Sequence, residues 1–179
     1  MPVNAPPRNA IALRPCTGAD VPFLRQLYGS TRQAELGPVP WTFEQKRWFI
    51  EQQFSAQQAH YEAHYPGCAF LIIELEGRPA GRLYVHRGDE DIRIVDITIV
   101  PGARGRGIGG LLVAELIAEG RATSRTVSIH VEQDNPAMRL YHRLGFRRVD
   151  TYGIYHLMEW RAAPAAAAAG KGLVWTSPR

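Results

Sequence analysis

The sequence predicts an α/β protein of the α+β type, with a mixed, mostly antiparallel central sheet flanked by helices. Three observations carry that expectation. Residues 68–100 read as three consecutive strands joined by short turns, an antiparallel meander. A turn rich in glycine and arginine, Arg104-Gly-Arg-Gly-Ile-Gly-Gly110, then leads from the last of these strands into a helical pattern. Beyond it, residues 126–160 read as strand, short helix and closing hairpin. At 179 residues one domain is expected, over residues 11–161, with a flexible segment at 1–10 and an Ala-rich, disordered tail at 162–179.

Residues 11–14, IALR, alternate as a short first strand. Thr17-Gly-Ala-Asp20 is a capping box and opens a helix with Val21, Leu24, Leu27 and Tyr28 at helical spacing. Gly37-Pro-Val-Pro40 breaks the chain. Thr42-Phe-Glu-Gln45 is a second capping box, before a helix expected to end near residue 60. Its aromatics Phe43, Trp48, Phe49 and Phe54 are expected to pack on the sheet; the alternative is that one or two of them, with Trp41, wall a substrate pocket. In the meander, residues 68–75 form a continuous apolar strand, 79–87 pair back after a turn at Gly77, and 92–100, IRIVDITIV, is the most β-branched stretch. Residues 135–144 read as a helix closed by Gly145, and the last hairpin turns at Gly153. The tail segment Leu173-Val-Trp175 is a candidate for docking on the domain or a partner.

Composition narrows the functional classes. The net charge of +4 suits an anionic small molecule and lacks the clustered basic face of a nucleic-acid binder. Cys16 and Cys68 lack metal-ligand spacing, so reduced thiols, no metal site and a cytoplasmic location are expected. The first residues have no apolar signal-peptide core, and no run has membrane-spanning length.

The chemistry concentrates at the glycine-arginine turn. A helix N-terminus offers free amides and partial positive charge, and glycines let a phosphate approach them. No Lys-Ser or Lys-Thr follows Gly109, which excludes a nucleotide-hydrolysing P-loop. Gly105, Gly107 and Gly110 match the dinucleotide fingerprint GxGxxG, but without the βαβ repeat that belongs to it. Arg104, Gly107 and Gly109 match RxxGxG, a pyrophosphate cradle at the end of an antiparallel strand.

ITIVPGARGRGIGGLLVAEL resembles the acyl-CoA-binding motif of the GNAT superfamily of N-acetyltransferases. Independently, Asn135, Ala137, Leu140, Tyr141, Gly145 and Phe146 resemble that family's NxxAxxLYxxxGF signature. The resemblance extends over residues 11–161. It implies a splayed strand pair holding acyl-CoA and acetyl transfer to a primary amine by direct attack in a ternary complex. The backbone of Ile97, Thr98 and Ile99 would pair with the pantetheine arm. Arg104, Gly105, Arg106, Gly107, Ile108, Gly109 and Gly110 would hold the pyrophosphate, within which Gly107 and Gly109 are the expected functional glycines. Asn135 would touch the cofactor, and Tyr141 would be the general acid. His130 and Glu132, ahead of Asp96, are base candidates, with water as the alternative. Arg32, Glu35 and Trp41 are candidate contacts for the acceptor. The acceptor stays open among a small amine, an amino acid, an antibiotic, and a protein N-terminus or lysine. A homodimer through the last strands is a further expectation. A non-catalytic acyl-CoA sensor, and then a dinucleotide-dependent oxidoreductase, are the competing classes.

Overall fold

A computed structural model describes residues 6–162; the Ala-rich segment from 163 onward, with Leu173-Val-Trp175, lies outside the described residues, as do residues 1–5. The elements are β1 (Ile11–Pro15), α1 (Val21–Leu36), α2 (Phe43–His64), β2 (Ala69–Leu75), β3 (Arg78–Arg87), β4 (Asp91–Ile99), α3 (Ile108–Thr123), β5 (Thr126–Glu132), α4 (Met138–Arg143), β6 (Arg147–Tyr152) and β7 (Tyr155–Trp160). All seven strands form one sheet in the order β1-β2-β3-β4-β5-β7-β6. Every neighbouring pair is antiparallel except β4 and β5. A doubly wound dinucleotide fold is built from successive parallel units, so this topology removes the oxidoreductase alternative.

Both predicted capping boxes form. The Asp20 carboxylate accepts from the Thr17 amide at 2.8 Å and from its hydroxyl at 2.9 Å, in a 3₁₀ turn that leads into α1. Arg14 grips the same carboxylate at 2.7 Å and Glu74 at 2.7 Å, tying β1 and β2 to the start of α1. At α2 the Thr42 hydroxyl accepts from the Gln45 amide, and the Gln45 side chain accepts from the Thr42 amide at 2.8 Å.

Alternation along the strands assigns the two faces of the sheet. Leu83, Val85, Ile92, Ile94, Val127, Ile129 and Val131 face the larger core, against Ile108, Leu112, Val113 and Leu116 of α3 and Tyr141 of α4. On the other face Leu24, Tyr28, Phe54 and Ile72 form a smaller core beneath α1 and α2.

Three sequence expectations are corrected. α2 runs to His64, one turn beyond the expected end, because no Gly or Pro interrupts it before residue 66. The helix expected at 135–144 begins only at Met138, because the Asn135 side chain folds into a turn and accepts from the Ala137 amide at 2.9 Å. Phe43 and Trp48 do not pack on the sheet; they are 74% and 65% exposed, and Phe54 is the buried residue of α2.

The feature that positions the site is a parting of strands. β4 and β5 pair only from Asp91–Thr126 to Ile94–Ile129. β4 then follows β3 as far as Ile99, while β5 follows β7 to Glu132. At the fork the β3–β4 register slips: Tyr84 faces Asp96 while Val85 faces Ile94, leaving Val95 as an extra residue. Such a bulge bends its strand and increases its twist.

Gly81 lets β3 approach the far arm of β4. A Cβ there would collide with the Thr98 carbonyl oxygen and lie 3.1 Å from the Ile99 Cα, both backbone atoms. Gly81→Ala is therefore expected to destabilise the domain by about 1–3 kcal/mol, as overpacking does. Thermal unfolding should show a lowered Tm, and an unchanged Tm would remove this constraint.

Candidate functional site

α3 starts on a left-handed residue, Gly107, with φ 80°, and Gly105 before it has φ 73°. L side chains pay a steric penalty in this region, so both glycines are conformational requirements. Gly105, outside the expected functional pair Gly107 and Gly109, thus belongs to the shape of the turn. The first intrahelical bond runs from the Leu111 amide to the Gly107 carbonyl at 3.0 Å. The amides of Ile108, Gly109 and Gly110 precede it and have no partner within the helix. Gly110 serves packing: a Cβ there would sit 3.4 Å from Leu140 of α4. Arg104 folds its Nε back onto the Ile99 carbonyl at 2.8 Å, which fastens the turn to the end of β4. Arg106 is half-buried beside it in the chain. The result is a cradle of open amides with two cations, at the end of the far arm of β4.

From the cradle, the fork runs inward between Ile97-Thr98-Ile99 on β4 and His130-Val131-Glu132 on β5. Ile97 and Ile99 lean on the larger core. Tyr141 enters from α4, 3% exposed, its ring edge-on to Phe146 at 5.6 Å. Its hydroxyl makes no hydrogen bond among the described residues. Burial first, and the Asp96 charge second, push the Tyr141 phenol above its ordinary value.

The three base candidates have different surroundings. Asp96 is bound by four donor groups: Arg82 Nε at 3.1 Å and Nη2 at 2.7 Å, the Tyr61 hydroxyl at 3.1 Å and the Thr98 hydroxyl at 2.7 Å. Arg82 is 2% exposed and also reaches Gln57 of α2 at 2.8 Å. His130 is open to solvent, and its Nδ1 lies 3.3 Å from Arg93 Nη2. Partial burial, then Arg93, lower its pKa. Glu132 is half-buried and accepts from the Tyr155 hydroxyl at 3.4 Å.

Arg32 and Glu35 pair with each other at 2.9 Å, and both act electrostatically on the Tyr155 phenol, which sets them near Glu132. Trp41 stands apart from this group. It packs edge-on to Phe49 at 5.3 Å and shares an open groove of about 490 Å³ with Glu44, Gln45 and Trp48. Asn135 holds the turn before α4.

Arg82, Arg93 and Val95 are absent from the sequence reading. The alternation of Arg82 with apolar neighbours in GRLYVH was the one available signal for a buried charge. Its partner depends on a strand register that single-residue patterns do not reveal. Among the described residues no group of three or more His, Cys, Asp or Glu is placed to hold a metal ion. No helix among them is long and apolar enough to cross a membrane.

Residues 32–146 match the Acetyltransferase (GNAT) family. A mycothiol acetyltransferase of Clavibacter michiganensis subsp. michiganensis (strain NCPPB 382) is 33% identical over 108 residues, which cover 59% of this chain and 33% of that protein. The match thus spans about a third of that relative's length. PaiA N-acetyltransferase from Thermoplasma acidophilum, in complex with coenzyme A, has a similar structure. Its TM-score is 0.63 at 18% identity, over 85% of this chain and 99% of that one. YncA from Salmonella typhimurium, with its cofactor acetyl-CoA, gives a TM-score of 0.53 at 20% identity, over 89% and 98% of the two chains. At these identities the structural likeness is one of fold.

Two substitutions test the site's geometry. Asp96→Asn leaves Arg82 buried without its counter-charge and should cost about 3–5 kcal/mol in denaturant unfolding; a near-neutral result would show that the pair is dispensable. Gly107→Asp puts a carboxylate and a strained φ where an anion should sit. Calorimetry should then detect no coenzyme A binding in a protein that still folds, and retained affinity would place the pyrophosphate elsewhere.

Proposed function

Because the chain belongs to the GNAT acetyltransferase family, we propose that it transfers the acetyl group of acetyl-CoA to a primary amine by direct attack within a ternary complex. The observation that carries this reading is the fork itself: β4 and β5 part beyond Ile94 and Ile129, and the far arm of β4 ends at the open amides of α3. A pyrophosphate on those amides leaves an extended arm free to run along Ile97-Thr98-Ile99. The backbone edge of those residues that faces away from β3 would take it up as an added strand. Arg104 and Arg106 add charge to the cradle. Asn135 acts by shaping the turn before α4.

The reaction needs a neutral amine, a stabilised oxyanion and a proton for the departing thiolate. Tyr141 is assigned the last of these. Its ring is buried while its hydroxyl makes no hydrogen bond among the described residues, which leaves that hydroxyl free for a partner that arrives with the substrate. Its raised pKa keeps the phenol protonated across the neutral range. For the base we assign Glu132 or a water that it orders. Asp96 is occupied by its four donors, and the Nδ1 lone pair of His130 faces Arg93. Arg32, Glu35 and Tyr155 would line the acceptor's approach to Glu132.

An acyl-CoA sensor would use the same cradle without transfer. The two readings separate in a panel of amines assayed by CoA-thiol release: at least one amine should be acetylated. Acetyl-CoA binding with no release from any amine would establish the sensor instead. With an amine so identified, Tyr141→Phe should lower kcat by about 10²-fold or more with little change in the KM for acetyl-CoA. Burial shifts the Tyr141 equilibrium toward the protonated form, so the wild-type rate should show no alkaline fall from this group below its ordinary pKa of 10.0. An unaltered kcat in the Phe variant would take Tyr141 out of the acid role.

A further inference from the structure

On one face of β5 His130 is exposed beside the half-buried Glu132, while Ser128 is buried. α1 and α2 roof the sheet over Phe54 and Ile72, toward β1–β3. Beyond them, His130 and all of β6 are exposed, and Arg93, Ser128 and Glu132 share the same alternation face as His130. Arg93 reaches across the last paired rung, with Nη1 on the Ser128 hydroxyl at 3.1 Å and Nη2 on His130 Nδ1 at 3.3 Å. Ser128 in turn donates to Asp91 at 2.6 Å.

A guanidinium only donates hydrogen bonds, so His130 Nδ1 must be the acceptor in this contact. The neutral ring then carries its proton on Nε2 and presents an N–H, not a lone pair. Arg93 forms no ion pair among the described residues and uses only two of its five donors here. The fork therefore ends, on its uncovered face, in two adjacent hydrogen-bond donors, one of them a cation, with no anion between them.

We propose that Arg93 and His130 form a carboxylate subsite on the acceptor side of the fork, so that the acceptor is an amino acid or a compound carrying a carboxylate close to its reacting amine. Acceptor-side placement rests on the acyl-transfer reading. The α3 face of the sheet is filled by core and cradle, so a second substrate can meet the fork only through the open face. Glu132 lies two residues beyond His130 on that face, where it meets the ammonium end of such a molecule. The charge pattern along β5 thus complements a zwitterion: donors at the fork and a carboxylate at its mouth. The other charged or titratable groups around His130 are Tyr152 of β6, edge-on at 5.8 Å, with Asp150 beside it, and Tyr155 and Glu159 of β7. Asp91 acts through Ser128.

The test does not depend on turnover. Protein labelled with ¹⁵N in its histidines, with and without coenzyme A, is titrated with the twenty free amino acids and with their carboxamides. In the free protein His130 should appear as the Nε2–H tautomer, and an Nδ1–H ring would overturn the geometry. At least one acid, and not its amide, should shift the Nε2 signal and raise the ring's pH midpoint, because a bound carboxylate favours the imidazolium. Arg93→Gln should weaken that response at least tenfold. Equal responses to acid and amide, no response to any acid, or an unchanged response in Arg93→Gln would each overturn the subsite. A response to acids in a protein that acetylates no amine would uphold the subsite and sink the transfer reading.

Discussion

A backbone that leaves its partner inside a sheet must find other hydrogen-bonding company, and the parting of β4 from β5 sets the terms for everything else in this molecule. Two strands end their pairing at Ile94 and Ile129 although both continue for several residues. The fork is held open from both sides. β5 stays bound to β7 through Glu132, and β4 to β3 through Ile99, where Gly81 allows an approach that any side chain would block. The extra residue Val95 supplies the bend between these commitments. Closing the fork would require giving up one ladder for the other.

The far arm of β4 is tethered a second way. Asp96, the residue after the bulge, is bound by Arg82 from β3, by Tyr61 from α2 and by its own neighbour Thr98. A buried ion pair of this kind contributes little net stability, because desolvation offsets its attraction. Its value lies in geometry: neither partner can move without stranding the other in a low-dielectric interior. It joins the helix layer to the arm that leads to the cradle. The same engagement occupies a carboxylate that lies close to the fork.

The two faces of the fork carry opposite chemistry for the same reason. On the α3 face a helix start and two left-handed glycines expose amides, and α4 delivers a phenol kept protonated by burial. On the other face α1 brings Arg32 and Glu35 near Tyr155, and His130 of β5 is exposed. Partial burial there, and then the cross-strand neighbour Arg93, hold the His130 pKa below its ordinary value. A sheet pierced between two strands lets a donor lie on one side and an acceptor on the other, without either having to be displaced.

Much of this was legible residue by residue. Both capping boxes, the meander, the left-handed Gly145 and the cradle helix follow from short-range rules, since caps, turns and strand alternation depend on neighbours a few positions away. The two motifs also indicated the family. What local pattern could not reach is set by register and by overhang. Phe43 and Trp48 have the composition of core residues, yet they stay exposed in the first turns of α2. Asn135 has the composition of a helix start, yet its side chain closes a turn three residues earlier. Asp96 and His130 both read as base candidates, and only the strand register gives them their cross-strand partners, Arg82 and Arg93. The sequence by itself determined most of which elements form and where a glycine turn leaves a helix start with open amides, because those are properties of contiguous backbone. Only the tertiary structure decided which charged side chains are occupied and which face of the fork is open, because a strand's partners are chosen by pairing across the sheet.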